Sequence, residues 1–111
     1  MSMLLFILAA AASPTSLEGS RAVYTECLID LTIDKLKEKA TVDDFTAASK
    51  TACEAEKEAF KAAVIKDERA SGSTAADAAE FAEEEVTMML DDMAVGYADH
   101  LEYGTVPVKG K

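Results

Sequence analysis

Apolar positions recur at helical spacing along most of this chain. Between Glu18 and Ala40, Tyr24, Cys27, Leu28 and Leu31 follow one another at three- and four-residue steps and so share one helix face. Ile29, Ile33 and Leu36 widen that face, while Glu26, Asp30, Asp34, Lys37 and Glu38 fall on the other side. Ser20, followed by Arg21, is the expected N-cap, which places the first helix at about residues 20–40. Thr41-Val42-Asp43-Asp44 opens the second helix in the manner of a capping box, with two acids at the positive end of the helix dipole. Its stripe is Phe45, Ala48, Ala52, Cys53, Phe60 and Val64, and its exposed side carries Lys50, Glu54, Lys57, Glu58 and Lys61 at spacings that pair opposite charges. Ser71-Gly72 ends it, giving a single helix over 42–71.

Thr74-Ala75-Ala76-Asp77 repeats the capping pattern and opens a third helix over 74–103. Ala78, Phe81, Ala82, Val86, Met89, Leu90, Met93, Tyr97 and Leu101 form its expected core stripe. Gly96 weakens the helix interior by about 1 kcal/mol relative to Ala. Gly104 closes it, and residues 105–111, with Pro107 and Gly110, read as a flexible tail. No strand alternation and no internal repeat interrupts this pattern. The fold class is therefore all-α: an antiparallel three-helix bundle with short connections, its domain spanning residues 13–104.

The first twelve residues differ in kind. Met3 to Ala12 is an apolar run about half as long as a helical membrane span requires, and Ala10-Ala11-Ala12 offers the small residues a signal peptidase reads. Residues 1–12 are thus expected to be a signal peptide, with Ser13 as the new N-terminus, although the segment before the run holds no Lys or Arg. The alternatives are an uncleaved anchor or a buried helix start. Export points to the periplasm or the extracellular medium, where disulfides persist.

That compartment gives the two cysteines their meaning. Cys27 and Cys53 lie equidistant from Ala40, so a hairpin bend there brings both sulfurs to one height, each on an apolar stripe. A bridge between them contributes about 3 kcal/mol in the chain-entropy picture, a large share of a small domain's stability. The alternative is two buried free thiols. Neither a C-x-x-C motif nor a nearby His supports a redox or metal role.

Composition adds two points. Half of the chain counts as hydrophobic, but 21 of its 111 residues are Ala, so helix propensity is high while the core is thin. A covalent staple matters more under those conditions. The formal net charge is −10, which disfavours nucleic acid and anionic membrane surfaces as partners. The charge is also uneven. No Lys or Arg occurs from Ala70 to Val108, a stretch that holds nine acids.

Glu80, Glu83, Glu84, Asp91 and Asp92 are the candidate interaction face, suited to a basic or cell-envelope protein partner. The plain alternative is a solvated face that maintains solubility. Glu83-Glu84-Glu85 fans around the helix and cannot converge on one ion. Met89, Met93 and His100 are the candidate soft-metal ligands, since thioether and imidazole suit copper, against the alternative that the methionines fill the core. His100 beside Asp99 makes no catalytic pair, because neighbours in sequence do not face each other on a helix. No nucleotide loop or cofactor motif is present. The sequence is thus read as a small exported, non-enzymatic, protein-binding or structural module of the cell envelope that needs no cofactor. The alternative reading is a periplasmic metal binder built on the acidic third helix.

Overall fold

In the computed structural model, which describes residues 16–108, every interhelical break coincides with a local capping device or a covalent tie. The expected signal segment, residues 1–12, and the last three residues lie outside the described residues. Helix α1 (Leu17–Glu38) begins at Ser16, whose side-chain oxygen accepts from the Gly19 N–H at 2.9 Å. Ser20, the expected cap, is buried one turn further in. The helix ends in a Schellman arrangement. Lys39 takes the left-handed conformation (φ 58°), its N–H donates to the Leu36 carbonyl, and the Ala40 N–H donates to the Lys35 carbonyl. A non-glycine residue there costs about 1 kcal/mol, so tertiary contacts must favour the turn.

Helix α2 (Val42–Thr51) starts at Thr41, whose hydroxyl accepts from the Asp44 N–H at 3.1 Å. The continuous helix expected over 42–71 does not form. The chain is extended at Ala52 (φ −82°, ψ 159°), turns left-handed at Cys53 (φ 58°), and resumes as α3 (Glu54–Ala70). Nothing in Lys50-Thr51-Ala52-Cys53-Glu54 breaks a helix locally, because it holds no Gly or Pro. The interruption is tertiary in origin. It lets α2 lean across onto α4 while α3 runs along α1. The Lys57 ammonium donates to the freed Lys50 carbonyl at 2.9 Å, so the break is satisfied by a side chain.

Helix α4 (Ala75–Tyr103) is capped by Thr74, whose hydroxyl accepts from the Asp77 N–H, and ends at left-handed Gly104. It passes through Gly96 without interruption.

The topology follows from which residues meet. Cys27 bonds Cys53 and Tyr24 faces Phe60, in opposite order along α1 and α3, so these helices are antiparallel. Arg21 pairs with Glu85 and Lys35 with Tyr97, in the same order along α1 and α4, so these run together. The described residues are all helical apart from turns and the final segment, and they form four helices, not three. The all-α expectation and the disulfide hold; the single second helix does not.

The core cluster is Tyr24 and Leu28 from α1, Phe60 and Val64 from α3, and Ala82 and Val86 from α4. Leu17, Cys53, Ile65, Met89, Leu90 and Met93 pack against it from the side. Thr32, at the polar end of the α1 stripe, is buried because its hydroxyl donates to the Leu28 carbonyl at 2.9 Å. Phe81 and Leu101, both expected in the core stripe of α4, are exposed. The buried face of α4 is narrower than its apolar composition suggests: its buried residues are Ala78, Ala82, Val86 and Tyr97.

A second contact locks the far end. Phe45 of α2 stacks on Tyr97 of α4 with ring centroids 4.3 Å apart and planes 5° from parallel. The Tyr97 hydroxyl reaches the Ala40 carbonyl at 2.6 Å and the Lys35 carbonyl at 3.1 Å, and so holds the α1–α2 turn from α4. Tyr97→Phe keeps the ring and removes this bond. It is expected to lower unfolding stability by about 1–2 kcal/mol, because a carbonyl at a covered turn loses its donor. Urea unfolding of the two proteins measures this, and an unchanged midpoint would refute the role given to the hydroxyl.

Candidate interaction surface

The two features that the sequence singles out, the cysteines and the acidic helix, lie on different sides of the molecule's chemistry. Cys27, in the middle of α1, and Cys53, at the joint between α2 and α3, form a disulfide with Cα atoms 6.1 Å apart. Glu56 follows one turn later. Its carboxylate and the two sulfurs are the one group of three or more His, Cys, Asp or Glu donors among the described residues that lie within 4.8 Å of one another. The sulfurs are bonded to each other and offer no thiolate. A disulfide of this kind belongs to an oxidising, extracytoplasmic environment. No helix among the described residues is long and apolar enough to cross a membrane.

Tyr24 lies one turn before Cys27 and is fully buried, with its ring 6.0 Å from that of Phe60. Arg21 covers the Phe60 ring, its guanidinium carbon 5.1 Å from the centroid, and its charge reaches Glu85. The Tyr24 hydroxyl has no hydrogen-bond partner. Burial first, and then the charge of Glu54, push its pKa up to about 12. Such a group is chemically quiet; its ring fills the core.

Helix α4 presents the opposite picture. Its outward face carries Phe81, Met88 and Val95, which are 38 %, 59 % and 64 % exposed. Seven residues are close to two helical turns, so these three stand nearly above one another along about 21 Å of helix. Exposed Glu84 and Asp91 flank the row on one side, and exposed Asp92 and Asp99 flank it on the other. All five acids of the proposed face, Glu80, Glu83, Glu84, Asp91 and Asp92, are exposed, and Glu83 alone among them pairs with a cation, Lys61 of α3. Among the described residues, only Glu83 and Glu85 of the nine acids on this helix enter ion pairs. Both bonds attach the first half of α4 to the rest of the molecule. The remaining acids face outward.

The apolar row was the part hidden from sequence reasoning. The sequence pattern assigns Phe81 to the core stripe and leaves Met88 and Val95 in no stripe. The signal that could have separated them was the strict seven-residue spacing of 81, 88 and 95, offset from the stripe through Ala78, Ala82, Val86 and Met89.

The soft-metal candidates are placed as follows. Met89 and Met93 pack against the core cluster. His100 lies at the far end of α4, where its Nδ1 is 2.8 Å from the Thr105 hydroxyl. The Thr105 N–H also donates to the His100 carbonyl at 3.1 Å, so this local pair closes the helix C-terminus. Shallow clefts are present among the described residues. One, of about 320 Å³, lies between the start of α1 and the end of α3 and is lined by Leu17, Ala63, Lys66, Asp67 and Ala70. Another, of about 160 Å³, is formed by Leu36, Lys39, His100, Leu101 and Val106.

No family model matches the chain, and neither a curated protein nor a solved structure matches it.

The buried phenol makes a prediction about pH. The folded protein holds the Tyr24 proton up to about 12, whereas the unfolded chain releases it near 10.0. Between those values the folded state binds more protons, so its stability is complete below pH 10 and falls as pH rises toward 12. Tyr97, also raised chiefly by burial, acts in the same direction. Tyr24→Phe is expected to match or exceed wild-type stability at pH 7, since it removes an unbonded buried hydroxyl. It should also lose less stability than wild type on going from pH 9 to pH 11.5. Denaturant midpoints at the three pH values measure both effects, and a variant clearly weaker at pH 7 would show that the hydroxyl has a partner.

Proposed function

We propose that this is a small exported, non-enzymatic helical protein of the periplasm or the extracellular medium that binds another protein through the outward face of α4. The carrying observation is the row Phe81, Met88 and Val95, left uncovered between acids that make no ion pair within the described residues. A solvated face that serves only solubility has no use for three large apolar groups in register, and each exposed one costs solubility. The disulfide supports the compartment, because such bonds persist outside the reducing cytosol. The acidic balance supports a basic protein as partner over nucleic acid or an anionic lipid surface. The alternative of a metal-binding protein has less in its favour, since Met89 and Met93 are engaged with the core.

Site-specific photo-crosslinking in the producing cell tests this reading. A photoreactive residue at Met88 should yield one reproducible protein adduct. The same residue at exposed Ala59 on α3 should not, and a chelator should leave the adduct unchanged. Identical products from both positions, or none from Met88, would defeat it.

A further inference from the structure

We infer that the partner presents a basic amphipathic α-helix, seated lengthwise along the Phe81–Met88–Val95 row. The inference rests on the binding role proposed above and adds the chemistry and shape of what binds.

Spacing selects the shape. Apolar groups seven residues apart on α4 stand about 10.5 Å apart along its axis. A partner must offer apolar groups at the same interval on one side. A second α-helix does so with its own seven-residue repeat, and slight supercoiling keeps the two rows together. A β-strand repeats the same side every two residues, or about 6.7 Å, so with one side chain level with Phe81 it brings none level with Met88. The row is also straight, because α4 runs unbroken from Ala75 to Tyr103.

Charge selects the composition. Glu84 and Asp91, three residues after Phe81 and Met88, border the row on one side, and Asp92 and Asp99, four residues after Met88 and Val95, border it on the other. A partner helix with Lys or Arg beside its apolar row meets these acids on both edges. A second copy of this chain does not fit, because a two-fold pairing of α4 with α4 sets acids against acids along the whole contact. No Lys or Arg on α4 relieves that repulsion. The row's ends agree with this choice: Asp77 stands one turn before Phe81, and Glu102 stands two turns after Val95.

The test uses the oxidised full-length protein and three synthetic peptides of about four helical turns. The first carries Leu at seven-residue spacing with Lys and Arg alongside. The second has the same residues scrambled, so that charge is kept and the apolar row is lost. The third keeps the Leu row but has Glu in place of the basic residues. Binding is read by fluorescence anisotropy, and its location by amide chemical-shift changes. The first peptide is expected to bind, with shifts centred on residues 81–95 and at least about tenfold more tightly than the other two. A double variant, Met88→Ser with Val95→Ser, leaves charge unchanged at exposed sites. It is expected to weaken binding by about tenfold or more while its circular dichroism matches wild type.

Equal binding of the scrambled peptide would overturn the proposal, as would shifts centred elsewhere or unaltered affinity of the double variant. Failure of the peptides alongside a specific adduct at Met88 would remove the basic helix and leave the binding role standing. Failure of both experiments would remove both.

Discussion

The structure depends on a covalent bond between the middle of one helix and the joint between two others. Cys27 has helix on both sides, whereas Cys53 sits where the chain has left α2 and not yet entered α3. The bond therefore fixes three helices at one point. Around it the core is small: Tyr24, Leu28, Phe60 and Val64 with Ala82 and Val86 make the main cluster, and Phe45 stacked on Tyr97 makes a second contact at the far end. Burial of so few large side chains leaves little margin over the entropy of ordering the chain. The cross-link acts on the other side of that balance by restricting the unfolded chain. It also holds Cys53 in a left-handed conformation that its own neighbours in sequence do not favour.

From that point the molecule is organised toward α4. Its first half is attached by ion pairs, Glu85 with Arg21 and Glu83 with Lys61, and its second half by the Tyr97 ring against Phe45 and the Tyr97 hydroxyl at the Ala40 carbonyl. These contacts use one side of the helix. They fix α4 along its length and leave the side bearing Phe81, Met88 and Val95 facing outward. The rigid helix and its uncovered row are thus consequences of the same attachment. The disulfide takes no part in that face; it acts through the fold that presents it.

Much of this could be read from the chain before any coordinates. Thr41 and Thr74 cap the helices the pattern assigned to them, Gly104 ends the last, and the two cysteines meet as their equal distance from Ala40 required. The differences have two causes, one local and one tertiary. Ser20, ahead of a charged residue, suits a cap, but Ser16 offers an equivalent oxygen one turn earlier and is the one used. The break at Ala52–Cys53 has no local signal, since it answers to Phe45 reaching α4 and Cys53 reaching Cys27, contacts distant in sequence. Phe81 and Leu101 have core-type chemistry and helical spacing, yet only the packing of neighbouring helices decides how wide a stripe is covered. The candidate face was legible as a run of acids. Its apolar row was not, because exposure is a property of the assembled fold.

The central claim is that the Cys27–Cys53 bond sustains a fold whose core alone is marginal. Urea unfolding of the oxidised protein beside its Cys27→Ser, Cys53→Ser double variant, followed by circular dichroism, tests it most directly. The account predicts that the variant loses about 3 kcal/mol of stability, seen as a clearly lower midpoint. Coincident unfolding curves would contradict it, for they would show that packing holds the four helices together without the bond.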